Sequence, residues 1–463
     1  MKIVRHSPFR RIVIVLLLIA AAVSGAYFVF SRKGSDIITA LRGYQNQYNV
    51  VLITIDTLRA DRLGCYGYKK DVSPAIDKFA GESVRFENAI IQVPYTGPSH
   101  CSILTGKYAA NHGVMSNGYK LSPDNITLAE VLKEYDYSTG AAIGAWVLKK
   151  MYDYNQGFDS YLEDKSGERR ASSVNKDILP WIKNNKNKKF FAWIHYYDVH
   201  CAYNPPKKFK EKFGQGYSGE LNPKKKCGDT YYNKVQMEAR DVEYVKNMYD
   251  GEIAYTDSKI NGVLKKLKKW GLFENTIIVI TSDHGEELHE HGKFGHDYAL
   301  CDYEVKVPLI IHYPGMKLSN RVVSEQVDSI SIMPTILELL GIPSPDGIDG
   351  KSFANLLKGE GYKEEPAYMR LAFEKNTEHE YAVRTRDFKL LAVKGKGKEL
   401  YNLKDDPNED NNLVSRINEF PAAAALSDSL DKFMANEEKA NIEHQQNIQG
   451  ETVEKLKSLG YLQ

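Results

Sequence analysis

The sequence predicts an α/β protein built on a large mixed, mostly parallel central sheet flanked by helices. The segments 49–56 and 276–283 are apolar, rich in β-branched residues and of strand length, and each ends in a carboxylate. The run 189–200 repeats this pattern and supplies a third strand of the same kind. Because uninterrupted apolar runs are typical of parallel strands covered on both faces, we expect these strands to lie inside one sheet.

Four segments divide the 463-residue chain. We expect a membrane anchor at 1–31, a linker at 32–47, a catalytic domain at 48–365 and a C-terminal subdomain at 366–463. The run 12–30 follows a basic N-terminus and carries no charge, which is typical of a retained single-pass signal anchor. The positive-inside rule then places the catalytic domain outside the cytoplasm, in the periplasm or at the cell exterior. If the segment is a cleaved signal instead, the protein is secreted.

The C-terminal subdomain combines a small antiparallel sheet with a helix. Short strands with turns between them are expected near 381–385, 388–393 and 399–403, followed by a helix at 422–446.

The net charge of +2 is close to neutral and gives no indication of a nucleic-acid partner. The short basic runs 186–189 and 224–226 are typical of solvated loops, with a lipid head-group contact by the second run as the alternative. The spacing of the five cysteines matches no zinc pattern, and the odd number leaves at least one thiol unpaired. We expect Cys201 to pair with Cys227, since both fall in one loop-rich segment.

The candidate nucleophile is Thr96, which opens the stretch Thr-Gly-Pro-Ser-His-Cys-Ser-Ile-Leu-Thr-Gly. Pro98 suits the first turn of a helix, so Thr96 is predicted to lie at a helix N-terminus. Free N–H groups and the helix dipole favour an anion such as phosphate or sulfate at that position. A hydroxyl there can attack a bound oxyanion ester. The alternative is that Thr96 is an N-cap and has no chemical role.

A divalent metal site is predicted beside this helix. Ligands of parallel sheets bind outside the carboxyl ends of the strands, where Asp56 and the pair Asp283 and His284 follow their strands. Two carboxylates and an imidazole make a suitable ligand set for a divalent cation. The imidazole favours Zn²⁺ or Mn²⁺ and the carboxylates favour Mg²⁺ or Ca²⁺, so the identity of the ion stays open.

Four stretches resemble the sulfatase branch of the alkaline phosphatase superfamily: 55–67, 96–113, 281–286 and, as the closing C-terminal motif, 400–413. The resemblance extends over nearly everything after Tyr48. It implies the fold of that family and one divalent metal ion. The ligands that it implies are Asp56, Thr96, Asp283 and His284.

The nucleophile position departs from the sulfatase pattern. Sulfatases carry Cys or Ser there, followed by X-Pro-Ser-Arg, and oxidise it to formylglycine, whereas this chain reads Thr96-Gly-Pro-Ser-His100. Threonine cannot yield that aldehyde. The resemblance therefore implies phosphoryl transfer, with Thr96 attacking a phosphate or phosphonate ester of a small molecule, lipid or glycan.

Three alternatives to this function stay open. The first is a sulfuric ester hydrolase that uses Thr96 directly. The second is a phosphoethanolamine or glycerophosphate type of transferase that decorates envelope glycans or lipids. The third is a non-catalytic binding protein on the same scaffold, which the competent nucleophile and metal residues disfavour.

The resemblance also implies roles for three histidines. His100 takes the place of the sulfatase Arg and would position Thr96 or the oxyanion. His200 would face the leaving group, with a hydrogen-bonded structural role as the alternative. His296 stands where sulfatases often carry a substrate-binding Lys, so it would hold a non-bridging oxygen or protonate the leaving group. It ranks above His289 and His291.

Some polar residues have a structural interpretation beside the functional one. Asn117 is a candidate substrate contact, or a turn residue before Gly118. Asp257 is a candidate ligand, or a capping carboxylate on a long helix. His195 is assigned to the core. The histidine-rich loop after His284 suggests a second metal ion, but one ion is the better interpretation because the expected upstream Asp-X3-His pair is not evident.

Overall fold

The predicted sheet lies at the centre of the protein. The computed structural model describes residues 48–164, 167–221, 236–296, 299–314, 316, 320–372, 379–444 and 450–459. The strands up to residue 328 are, in chain order, β1 Asn49–Ile55, β2 Val84–Ile90, β3 Ser138–Ala142, β4 Ser160–Leu162, β5 Phe190–Tyr196, β6 Thr276–Ser282, β7 Glu287–Leu288, β8 Phe294–Gly295, β9 Lys306–His312 and β10 Arg321–Asp328.

Eight of these strands form the central sheet, in the order β10-β2-β9-β6-β1-β5-β3-β4. Neighbouring strands run parallel except at β9, which is antiparallel to both β2 and β6. β7 and β8 form a separate two-stranded hairpin. The prediction of a large mixed, mostly parallel sheet is therefore confirmed.

The apolar sequence of β1 follows from burial on both faces of the sheet. Val51, Ile53 and Ile55 pack into a core shared with several helices, while Val50 and Leu52 are equally buried on the opposite face. Alternate residues of a strand point to opposite faces, so a strand covered on both sides has no solvent-facing position for polar residues.

Helices and short 3-10 helices surround the sheet. The helices are Pro74–Gly81, Thr96–Thr105, Ala109–His112, Leu128–Glu134, Ala171–Asn185, Lys207–Phe213, Ala239–Lys269, Asp302–Val305, Ile332–Leu340, Ala354–Lys358, Pro421–Ala424, Ser427–Glu443 and Gly450–Leu459. The 3-10 helices are Ala60–Arg62, Gly64–Tyr66, Trp146–Leu148, Lys150–Tyr152, Phe273–Asn275, Ser329–Ser331 and Val414–Glu419. Residues of Pro74–Gly81, Ala171–Asn185 and Ala239–Lys269 pack in one core with β1, β5 and β6.

The C-terminal sheet has four antiparallel strands in the order β11-β12-β13-β14, with bounds β11 Ala367–Ala372, β12 His379–Arg384, β13 Phe388–Val393 and β14 Gly397–Asn402. The three predicted short strands correspond to β12, β13 and β14. β11 was not predicted. Tyr381, Leu390 and Leu400 of this sheet pack against Leu430 of helix Ser427–Glu443. The single helix predicted at 422–446 is replaced by two, Pro421–Ala424 and Ser427–Glu443.

The prediction of a membrane anchor is corrected. Among the described residues, no helix is long and apolar enough to cross a bilayer. The segments predicted as anchor and linker, 1–31 and 32–47, lie outside the described residues.

One of the cysteines forms a disulfide bond. Cys201 is disulfide-bonded, whereas Cys65, Cys101 and Cys301 are free thiols. The expected partner, Cys227, also lies outside the described residues.

Candidate active site

The predicted metal ligands meet at the carboxyl ends of two neighbouring strands. Asp56 directly follows β1, and Asp283 and His284 directly follow β6, whose Ser282 pairs with Ile55 of β1. One ligand atom from each of the three side chains lies within 4.8 Å of the other two. All three are fully buried. The sheet register therefore brings together side chains that are more than 220 positions apart in the chain.

Local hydrogen bonds leave ligand atoms available within this cluster. Asp283 Oδ1 accepts the backbone N–H groups of Thr57 at 3.2 Å and His284 at 2.9 Å. Asp283 Oδ2 is buried, has no hydrogen-bond partner among the described residues, and lies 3.7 Å from His284 Nε2. His284 Nδ1 donates to the Gly285 carbonyl at 3.0 Å, which fixes the ring with Nε2 on the side of Asp283 Oδ2. The donor set therefore fits a divalent cation.

Thr96 lies at this cluster, at the start of helix Thr96–Thr105. Its Oγ1 is 3.4 Å from His284 Nε2. The position before the helix belongs to Tyr95, whose side chain makes no capping hydrogen bond. Thr96 is therefore the first helical residue and not an N-cap, and its hydroxyl faces the predicted ligands.

His100 is bound on both ring nitrogens. Nδ1 donates to the Thr96 carbonyl at 2.7 Å, and Nε2 accepts from Thr54 Oγ1 at 3.0 Å. Thr54 in turn accepts the indole N–H of Trp193 at 3.0 Å. Burial lowers the pKa of His100, opposed by the nearby Asp283 carboxylate. This geometry suits a residue that positions Thr96 rather than one that contacts the ester oxygen.

His195, which the sequence analysis assigned to the core, lies beside the metal cluster. Its Nδ1 accepts the Gly144 backbone N–H at 3.3 Å, and its Nε2 is 3.7 Å from Asp56 Oδ2. Burial lowers its pKa well below the usual value, as do His100 and His200. The sequence contains one signal that His195 lies near the site: Thr54 and His195 are polar residues on otherwise apolar strands. In the structure they are paired in register.

His200 and His296 form a pair, with their Nε2 atoms 3.1 Å apart. His200 Nδ1 donates to the Cys201 carbonyl at 2.7 Å, so the Nε2 of neutral His200 accepts from His296. Burial, and then the neighbouring His296, lower the pKa of His200 well below its usual value. The His296 ring also lies 4.4 Å from the His284 ring, centroid to centroid. The structure thus brings both histidines to the site.

Asn117 contacts Gly97, the residue after the candidate nucleophile Thr96. Its Oδ1 accepts the Gly97 backbone N–H at 2.8 Å. Its Nδ2 is buried and has no hydrogen-bond partner among the described residues. The turn role is also present, because Gly118 adopts a positive φ of 90°. The two interpretations are therefore compatible.

Three other candidates do not lie among the predicted ligands. Asp257 accepts the backbone N–H groups of Ala75 and Ile76 at 2.8–3.1 Å, so it caps helix Pro74–Gly81. The His289 ring lies 5.3 Å from the Phe294 ring, centroid to centroid, on the β7–β8 hairpin. His291 bonds to Glu287 in the same hairpin.

A family model described as Sulfatase matches residues 48–342. The chain belongs to the sulfatase family. A second model, described as N-sulphoglucosamine sulphohydrolase, C-terminal, matches residues 289–436 of this sulfatase-family chain. This chain is 29% identical over 428 residues to an ulvan-active sulfatase of Formosa agariphila, and the match covers 83% of this chain and 79% of that protein.

Two solved structures show the same fold. One is a protein in complex with its substrate D-glucosamine-2-N,6-O-disulfate, with a TM-score of 0.72, 22% identity, and 85% of this chain and 98% of that chain covered. The other is the phosphonate monoester hydrolase of Agrobacterium radiobacter, with a TM-score of 0.69, 18% identity, and 85% and 96% covered. The superfamily prediction is confirmed. Relatives named as sulfatases support the sulfatase alternative better than the predicted preference for phosphoryl transfer.

Proposed function

We propose that this sulfatase-family hydrolase cleaves sulfate monoesters of a glycan, with the unmodified Thr96 hydroxyl as nucleophile. The observation that carries the proposal is the 3.4 Å separation of Thr96 Oγ1 from His284 Nε2, inside a buried cluster with Asp56 and Asp283. Relatives named as an ulvan-active sulfatase and an N-acetylglucosamine-6-O-sulfatase support the substrate class.

One divalent ion belongs to this mechanism, and Asp56, Asp283, His284 and Thr96 would hold it. When bound, such an ion supplies Lewis-acid chemistry: it lowers the pKa of the hydroxyl and neutralises charge on the ester oxygens. The hydroxyl proton of Thr96 passes to solvent before the attack. The His100 bond to the Thr96 carbonyl fixes the first helical turn, which keeps Oγ1 directed at the ester.

Attack by Thr96 Oγ1 forms an oxygen–sulfur bond and breaks the bond from sulfur to the leaving oxygen. In its protonated form, His296 passes a proton to that oxygen, and His200 Nε2 stabilises this form by accepting its hydrogen bond. Water then attacks the sulfur of the sulfothreonine intermediate, loses a proton to the neutral His296, and releases sulfate and Thr96. The His200–His296 pair therefore serves both halves of the reaction.

The fixed charges favour an ester group with a single negative charge. His100 and His296 stand where sulfatases often carry Arg and Lys, so two permanent positive charges are replaced by imidazoles. Two carboxylates and a divalent ion leave a metal cluster with no net charge. A sulfate monoester carries one negative charge, whereas a phosphate monoester carries between one and two near neutral pH.

A second candidate function is hydrolysis of phosphonate monoesters or phosphate diesters. The specific observation in its favour is Thr96 itself, since a threonine ester of phosphorus needs no oxidised nucleophile. These esters also carry one negative charge. The fold of the phosphonate monoester hydrolase of Agrobacterium radiobacter is compatible with this candidate.

We further propose that the catalytic body works outside the cytoplasm. The support is the disulfide at Cys201, because structural disulfides persist mainly in oxidising compartments.

Paired nitrophenyl esters test the proposed function: sulfate, phenylphosphonate, phosphate diester and phosphate monoester, each with added Zn²⁺, Mn²⁺, Mg²⁺ or Ca²⁺. The proposal expects turnover of the sulfate ester, little turnover of the phosphate monoester, and loss of both in Thr96→Ala. The matched control is Thr105→Ala on the same helix, whose hydroxyl donates to the Cys101 carbonyl at 2.7 Å. Turnover of phosphonate or diester without sulfate would select the second candidate.

A further inference from the structure

A second group of metal-ligating side chains lies on the β7–β8 hairpin and the segment that follows it. Glu287 belongs to β7, His291 lies in the turn between β7 and β8, and Cys301 directly precedes helix Asp302–Val305. One ligand atom from each lies within 4.8 Å of the other two. None of these three side chains has a part in the reaction proposed above.

The carboxylate of Glu287 is the point at which the three meet. Its Oε1 accepts from His291 Nδ1 at 2.6 Å and from the Cys301 thiol at 3.1 Å. Glu287 and Cys301 are buried, whereas 41% of the His291 side chain is exposed. An ion can therefore reach the group from the His291 side, with a sulfur and an oxygen ligand held in the interior.

The Glu287 carboxylate also bonds to the backbone of His291. Its Oε2 accepts the His291 backbone N–H at 3.3 Å, while its Oε1 accepts from the ring Nδ1. These two bonds fix the position of the ring on the hairpin, with Nδ1 directed at Glu287.

We propose that Glu287, His291 and Cys301 bind one ion of the zinc class, with a water molecule in the fourth position. Thiolate, imidazole and carboxylate are the ligands of four-coordinate Zn²⁺, whereas Mg²⁺ and Ca²⁺ take oxygen ligands. On binding, the Cys301 thiol and the Nδ1 of protonated His291 each release a proton to solvent, and Sγ and Nδ1 bond to the metal. The hydrogen bonds to Glu287 are exchanged for bonds to the ion.

Such an ion would fasten the hairpin to the segment that leads into β9. The hairpin lies in the chain between His284 and His296, so the same ion would stabilise the loop that carries both of these candidate site residues. Its binding should be measurable without any assay of ester cleavage.

Cobalt spectroscopy on the metal-stripped full chain tests this proposal. Co²⁺ occupies zinc sites, and a cysteine thiolate ligand gives an intense near-ultraviolet charge-transfer band. The proposed catalytic ligands are oxygen and nitrogen donors, so such a band reports Cys301 and not the active site. The proposed catalytic site takes up one equivalent of Co²⁺ without giving this band, so we expect the band to be complete by two equivalents. It should be displaced by Zn²⁺ and persist in the control Cys65→Ser, which removes another free thiol.

Two variants decide between metal binding and a hydrogen-bonded group without metal. Cys301→Ser and His291→Ala should each lose the band, and Zn²⁺ should protect Cys301 of the wild type from alkylation. His291→Ala changes a partly exposed side chain, so it covers the case in which Cys301→Ser fails to fold. Absence of the band in wild type, or its survival in Cys301→Ser or His291→Ala, would overturn the proposal.

Discussion

A methyl group added at Gly97 tests the packing behind the nucleophile. A Cβ at this position would lie 2.6 Å from the Tyr154 hydroxyl and 3.0 Å from Asn117 Oδ1. Both neighbours are buried, and Asn117 Oδ1 already accepts the Gly97 N–H. Gly97→Ala must therefore displace Tyr154, Asn117 or the first turn of the helix that carries Thr96.

The expected magnitude follows from the cost of overpacking, about 1–3 kcal/mol in a buried site. If the displacement reaches Thr96, the same energy is added to the activation barrier of ester cleavage. A rise of about 1.4 kcal/mol in that barrier corresponds to a tenfold loss of rate. We expect Gly97→Ala to lower kcat/KM by about 10- to 100-fold and to lower the unfolding midpoint as well.

The assay compares ester turnover and chemical unfolding of Gly97→Ala with those of Gly81→Ala. Gly81 ends helix Pro74–Gly81, and a Cβ there would meet nothing within 4 Å. Gly81→Ala should therefore leave turnover unchanged. Wild-type rate and stability in Gly97→Ala would refute the close packing at the nucleophile.

Three further predictions concern the surroundings of the site and the fold. Glu437→Ala removes the carboxylate that lies 3.1 Å from the buried Arg370 guanidinium, so it should reduce the free energy of unfolding by about 3–5 kcal/mol. The control Glu438→Ala, at a more exposed ion pair, should reduce it by about 1 kcal/mol or less. Equal effects of the two variants in urea unfolding would contradict this. His195→Ala should weaken metal binding about 10- to 100-fold by calorimetry, because it removes the imidazole 3.7 Å from the carboxylate of the proposed ligand Asp56; unchanged affinity would assign His195 to the core. Burial raises the pKa of Asp257 to about 7, so the folded state binds a proton that the unfolded state releases above about pH 4, and stability from this group falls as the pH rises from about 4 to 7. Asp257→Asn should flatten that fall in urea titrations at several pH values, and an unchanged slope would exclude this residue as its source.

The sheet and the grouping of Asp56, Asp283 and His284 were predictable because strong local signals determine them. Apolar runs that end abruptly in Asp56 and Asp283 identify buried parallel strands, and sheet geometry then brings their ends together. The parallel direction of such strands could be inferred from their apolar sequences. The antiparallel direction of β9 depends on chain connections, which leave no local pattern in the sequence.

The surroundings of the cluster were harder to predict, because long-range contacts create them. His195 has the sequence context of a core residue, and only the pairing of β5 with β1 places it near Asp56. Asp257 resembles a ligand in sequence, yet the packing of two helices makes it the cap of Pro74–Gly81. The group of Glu287, His291 and Cys301 joins a hairpin to a separate segment, which no sequence spacing reveals.

The central claim is that the oxygen of Thr96 forms a covalent bond with the transferred group. The most direct measurement is intact-protein and peptide mass spectrometry on rapidly quenched reactions of wild type, Thr96→Ser and Thr96→Ala with the ester that is turned over. The account predicts an adduct that maps to residue 96 in wild type and Thr96→Ser, with none in Thr96→Ala. Turnover by Thr96→Ala, or an adduct on another residue, would contradict it.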